Sequence, residues 1–140
     1  MARILVDEPS PWFLPELQRQ YGGENVSMIA GNERQRRVAA RAERAGALPE
    51  TTVCVIADLR RRPERCVEVV EDLRHRHPEA RLILIGDERL APLEWVLREL
   101  GVAIVETNPV RGVDLKRWID PILQCQSSPR DLFMPIQKCR

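Results

Sequence analysis

Short apolar runs alternate along the chain with longer stretches in which apolar residues recur every three or four positions. Five runs are strand-like: residues 3–6, 26–30, 52–57 (TVCVIA), 81–85 (RLILI) and 102–105 (VAIV). Runs this short and continuous are typical of strands buried on both faces. Helical spacing fills the intervals. In residues 63–77, Cys66, Val67, Val70 and Leu73 fall near one face, with arginines and glutamates opposite. Leu90, Leu93, Leu97 and Leu100 repeat through residues 90–100, and Leu115, Trp118, Ile119, Ile122 and Leu123 through residues 114–123. These are amphipathic helix patterns. Gly101 is placed to cap the second of them at its carboxyl end. After the first strand, Ser10-Pro11 has the form of an N-cap followed by proline at the first helical position. Pro15 would then fall inside the helix, so its regular part is expected to begin near Pro15. Trp12, Trp95 and Trp118 sit at helical positions and read as packing residues. For Trp95 the alternative is an exposed position, where it would serve as an interface anchor.

Strand followed by helix, repeated, predicts an α/β domain with a parallel sheet covered on both faces, because each parallel connection needs a crossover. That domain spans residues 1–124. Residues 125–140 lose periodicity and read as a C-terminal tail. Leu132, Phe133, Met134 and Ile136 make the tail apolar enough to dock on its own domain or on a neighbour.

Composition narrows the function classes. The 140 residues are 44% hydrophobic and 31% charged, with a net charge of +1. That balance argues against a nucleic-acid binder and offers nothing to a membrane surface. No apolar run approaches a membrane span, and Ile4-Leu5-Val6 is too short for a signal peptide. Cys54, Cys66, Cys125 and Cys139 lack metal-ligand spacing and read as free thiols of a cytoplasmic protein, with Cys125 and Cys139 in the tail able to cross-link. Arg34, Arg36, Arg37, Arg41 and Arg44 form one basic cluster, and Arg60, Arg61, Arg62 and Arg65 another. Glu33, Glu43 and Glu64 interrupt them, so both read as solvated helix faces. His75 and His77 flank Arg76 at a helix end, where cations are favoured. No G-x-G-x-x-G, Walker A or G-x-S-x-G pattern occurs.

In open parallel sheets, sites form beyond the carboxyl ends of the strands. Asp7-Glu8 follow the first strand, Gly31-Asn32 the second, Asp58-Leu59-Arg60 the third, Gly86-Asp87 the fourth and Glu106-Thr107-Asn108-Pro109 the fifth. If the first and third strands are neighbours, Asp7, Glu8 and Asp58 converge. Clustered carboxylates raise each other's pKa unless a cation joins them. Mg2+ is one remedy. Arg60, Arg61 and Arg62 offer another that needs no metal. Read singly, each acid is also suited to capping a turn or a helix.

These residues resemble a family. ARILVDEP resembles the opening of bacterial response-regulator receiver domains, where a strand ends in a pair of acids. VCVIADLRRRPERCVEVVEDLRHRHPEARLILIG resembles their third strand, phospho-acceptor, third helix and fourth strand. LRELGVAIVETNPVRGVDLKRWIDPIL resembles their fourth helix, fifth strand and fifth helix. The resemblance implies a flavodoxin-like (βα)5 three-layer sandwich around a five-stranded parallel sheet. It places Asp58 at the phospho-acceptor position, Asp7 and Glu8 at the metal-binding acids, and the backbone carbonyl of Arg60 on the metal. The switch positions depart from the family. Gly86 stands where a hydroxyl is expected, Asn108 where a lysine is expected, and Val105 replaces the aromatic residue of the fifth strand. A switch needs different contacts in its two states, and these substitutions remove them. The expectation is a degenerate pseudo-receiver, not an enzyme. It would have no required cofactor and would bind a protein partner, or a second copy of itself, through the helix at 90–100, the strand at 102–105 and the helix at 114–123. Two alternatives stand beside it. One is a functional atypical receiver, phosphorylated on Asp58 with Mg2+. The other is a small nucleotide-binding or enzymatic domain on the same fold.

Overall fold

The computed structural model describes residues 2–24, 26–31, 37, 38, 41, 44–46 and 51–127. Strands β1 (Ala2–Asp7), β2 (Val26–Ala30), β3 (Thr51–Asp58), β4 (Arg81–Ile85) and β5 (Val102–Glu106) form one parallel sheet in the order β2-β1-β3-β4-β5. All five follow the apolar runs of the sequence, three of them with an extra residue or two at an end. The helices are α1 (Phe13–Gln20), α2 (Cys66–Arg76), α3 (Glu94–Glu99) and α4 (Gly112–Ser127).

The sheet sends successive side chains into two cores. Val55 and Ala57 of β3 join Leu5, Leu82 and Leu84 against Cys66, Val70 and Leu73 of α2 and Leu97 of α3. Ile56 joins Ile4, Val6, Ile83 and Ile85 on the other face, against Phe13 and Leu17 of α1 and Leu115 and Ile119 of α4. Both faces of the central strands are therefore apolar, which removes any in–out alternation from their sequence. The result is a three-layer α/β sandwich of the flavodoxin-like kind.

The helices depart from their expected bounds for local reasons. The pattern at 90–100 divides into a 3-10 segment, Glu88–Leu93, and the short helix α3. Pro92 lies inside the first part and withholds an N–H there. Leu90 and Leu97 are buried as expected, whereas Leu93 is 36% exposed and leaves the apolar face. Gly101 takes a φ of +101° directly after α3, as its capping role required. In α1, Pro15 is the third helical residue, where an N–H has no intrahelical acceptor in any case. Trp12 precedes that helix and is exposed, not packed, which corrects its reading as a packing residue. α4 runs to Ser127, past the expected end of the domain at 124.

Cys54 and Cys66 are free and buried, and burial pushes the Cys54 thiol up to about 12. Cys125 is disulfide-bonded, so the free-thiol reading holds for Cys54 and Cys66 and not for Cys125. Asn32, Arg34, Arg36, Cys139 and the apolar tail residues Leu132, Phe133, Met134 and Ile136 lie outside the described residues. Among the described residues, no helix is long and apolar enough to cross a membrane.

Candidate functional site

The strand order reverses direction at β1 and β3, which are neighbours, and their carboxyl ends form the crevice where such folds place their chemistry. Asp7 ends β1 and Asp58 ends β3. Asp58 is 6% exposed and is the buried charged residue of the described chain. Its partner is Arg60. The Arg60 Nε donates to Asp58 Oδ1 at 2.9 Å and Nη2 to Oδ2 at 2.8 Å, a two-pronged pair. The backbone N–H of Arg60 adds a bond to Oδ1 at 3.1 Å. Burial of a charge is costly unless it is paired and hydrogen-bonded, and this fork meets both conditions. The Asp58 carboxylate in turn holds the Arg60 guanidinium above its ordinary pKa. The guanidinium also lies over the Phe13 ring, 5.1 Å from its centre.

The other acids of the pole are engaged separately. Arg62 Nη2 donates to Asp7 Oδ1 at 3.0 Å. Asp87 repeats the Asp58 arrangement. Its Oδ1 accepts from the backbone N–H of Arg89 at 2.9 Å, and the Arg89 guanidinium contacts both carboxylate oxygens. The hydrogen bonds from Arg89 lower the Asp87 carboxyl to about 2. Arg89 Nη2 also donates to the backbone carbonyl of Arg60 at 2.6 Å. Three acids and three arginines thus alternate across the carboxyl ends of β1, β3 and β4.

Glu8 faces elsewhere. Its carboxylate accepts the backbone N–H groups of Trp12, Phe13 and Leu14 at 3.0, 2.9 and 3.1 Å. It therefore caps α1, supplying the acceptors that an N-terminus lacks and a negative charge where the helix dipole favours one. Ser10 was expected to cap this helix, but Glu8 does so from further upstream. Asp7 and Asp58 reach the same pole; the Glu8 carboxylate is turned to α1, yet its charge still acts on Arg60.

The protein itself engages the acids of the pole: Arg60 holds Asp58, Arg62 holds one oxygen of Asp7, Glu8 serves α1, and the Arg60 carbonyl accepts from Arg89. Among the described residues no group of three or more His, Cys, Asp or Glu side chains is arranged to hold a metal ion. A cation does neutralise the acids, but it is guanidinium.

Gly86 is confined sterically. A Cβ built on Gly86 would lie 2.2 Å from Leu90 Cδ1 and 2.7 Å from its Cγ. Leu90 is fully buried beneath it. A hydroxyl side chain cannot stand at this position while Leu90 fills the space. Val105 is buried in the same core as Leu90 and Leu97. Asn108 is exposed, and its backbone N–H donates to the Glu106 carboxylate at 2.9 Å.

Sequence reading did not name Arg89. The signal was available: Asp-x-Arg occurs at 58–60 and 87–89, each time at the end of a strand, and once more inside α2 at 72–74. An aspartate accepting the N–H two residues on is a common local turn, and that turn brings the arginine of the motif back over its own carboxylate.

No family profile matches the chain, and no curated protein does either. Solved structures do. A response regulator from Thermotoga maritima superposes with a TM-score of 0.63 at 14% identity, covering 89% of this chain and 98% of that one. The receiver domain of the TMAO respiratory system response regulator TorR gives 0.63 at 17% identity, with the same coverage. The fold is that of a receiver domain. A CheY-like protein, tadZ, from Pseudomonas aeruginosa PAO1 gives 0.55 at 17% identity over 87% of this chain and 93% of that one. The receiver-fold expectation from the sequence is thereby met. At these identities the likeness concerns the fold, and the chemistry of the pole rests on the contacts described above.

Proposed function

We propose that this receiver-fold domain is a pseudo-receiver. It signals by binding protein partners and not by accepting a phosphoryl group. The observation that carries this reading is the Arg60 fork on Asp58. The side chain at the phospho-acceptor position already has a permanent counter-charge. A phosphoryl group or a metal would have to displace it. Gly86 and Asn108 offer nothing to a phosphoryl oxygen in return, and Leu90 closes the hydroxyl position. In this reading the domain works in the cytoplasm, catalyses nothing and needs no cofactor. Its output passes through the face made by α3, β5 and α4, where Trp95 is 69% exposed. Tryptophan is enriched among the residues that anchor protein interfaces.

The test is a titration with Mg2+, with and without beryllofluoride, followed by amide NMR. Signals from Asp7, Asp58 and Arg60 are expected to stay in place. A saturable shift at those residues, abolished by Asp58→Ala, would establish the alternative of a functional receiver using Asp58 and Mg2+.

A further inference from the structure

A second cleft lies at the opposite end of the sheet from the acid–arginine pole. Its volume is about 730 Å³. The cleft runs along β5 between the end of α3 and the middle of α4. Its rim carries Arg74, Arg81, Arg98 and Arg117 against one carboxylate, Glu79. Its floor is apolar, with Val102, Ile104, Trp118 and Ile122. Arg98 pairs with Glu94 and Arg117 with Asp114, so the local excess of positive charge comes from Arg74 and Arg81, on a chain whose net charge is only +1.

Two of the guanidiniums are held in place by backbone carbonyls. Arg74 Nη1 donates to the Ala80 carbonyl at 3.2 Å, and Arg98 Nη1 to the Ala103 carbonyl on β5 at 3.3 Å. Gly101 makes room for the first, since a Cβ there would lie 3.1 Å from Arg74 Nε. Among the described residues, neither Arg74 nor Arg81 has a carboxylate partner. β5 is also the edge of the sheet, paired with β4 on one side alone among the described strands. An open edge accepts an extended segment through main-chain hydrogen bonds.

We propose that this cleft docks an extended, acidic segment of a partner protein. The edge of β5 would receive its backbone, the apolar floor its alternate side chains, and the arginine rim its carboxylates. Charge selects this occupant over a second copy of the chain, because a two-fold contact through the patch would set arginine against arginine. The floor, mostly aliphatic with Trp118 as its one aromatic ring, favours a peptide over nucleic acid, which would need a run of stacking aromatics. The inference rests on the pseudo-receiver reading in one respect, that a protein partner is the output, and it names the chemistry of that partner.

The probe is a fluorescein-labelled peptide of alternating glutamate and valine, followed by anisotropy with the full chain. A peptide with lysine in place of glutamate is the control. Saturable binding of the acidic peptide alone is expected, weakening as salt is raised. Arg81→Ser with Arg117→Ser should weaken it about tenfold, at about 0.5–1 kcal/mol for each partly exposed charge contact. Arg117→Glu, at an exposed site, should let the lysine peptide gain affinity, which keeps the test decisive if the double variant folds poorly. No saturable binding, binding indifferent to the arginine variants, displacement by a single-stranded oligonucleotide of equal charge, or self-association lost in Arg117→Glu would each overturn the proposal. Repeating the titration with Mg2+ and beryllofluoride separates the two readings. Binding that requires beryllofluoride would overturn the pseudo-receiver and uphold the cleft. Absent binding under both conditions would overturn the cleft and leave the NMR titration to judge the pseudo-receiver.

Discussion

Arg60→Ala removes both side-chain prongs from Asp58 and leaves one backbone N–H on a buried carboxylate. Breaking a fully buried ion pair from one side costs about 3–5 kcal/mol, and breaking an exposed one about 0.2–1 kcal/mol. Here the Asp58 side chain is 8% exposed and that of Arg60 39%, so one partner is dry and the other partly screened. The expected loss lies between the two limits, at about 2 kcal/mol. The contact over the Phe13 ring adds about 0.5 kcal/mol. Urea denaturation at neutral pH, followed by tryptophan fluorescence, measures the loss. A double-mutant cycle with Asp58→Asn isolates the pair, because an amide at 58 no longer needs the cation. A deficit below about 0.5 kcal/mol, the scale of a surface substitution, would refute the argument that the pole is locked by a desolvated pair.

Three further outcomes follow from the same geometry. Gly86→Ser should cost about 1–3 kcal/mol by overpacking against Leu90, and combining it with Leu90→Ala should destabilise less than the sum of the two, as thermal unfolding of all three variants would show. Glu8→Ala should cost about 1–2 kcal/mol through the lost cap of α1, with faster amide exchange at Trp12, Phe13 and Leu14. Tyr21 is 2% exposed and its hydroxyl donates to Asp120 Oδ1 at 2.5 Å. Burial first, and that hydrogen bond second, raise its pKa above the ordinary 10.0. The unfolded chain then releases the phenolic proton before the folded one does. Stability should fall as pH rises beyond that value, by up to about 1.4 kcal/mol per pH unit more than in Tyr21→Phe, measured by urea denaturation across alkaline pH.

The strands were the most legible part of this chain. TVCVIA and RLILI are apolar on both faces, a pattern that a buried parallel strand requires and that a one-sided helix does not produce. Helix limits were less legible where proline intervened. Leu90, Leu93, Leu97 and Leu100 keep a helical spacing through Pro92, yet the missing N–H tightens the first part into a 3-10 segment and turns Leu93 outward. The strand-end acids were visible at 7, 8, 58 and 87, and so was the stock of arginines beside them. Spacing along the chain could not say which acid each arginine would meet.

The sequence by itself determined the layered α/β fold and the positions of the acids at the strand ends, because local periodicity and the crossover rule are properties of neighbouring residues. Only the tertiary structure decided what those acids do. Asp7 finds Arg62 from a distant part of the chain, and the Arg60 carbonyl finds Arg89. Glu8 is drawn away by the unpaired N–H groups of α1. Gly86 is held to glycine by Leu90, whose packing depends on the core formed by β3, β4 and α3. Each outcome is a competition among partners brought together by folding, and hydrogen-bond geometry settles it.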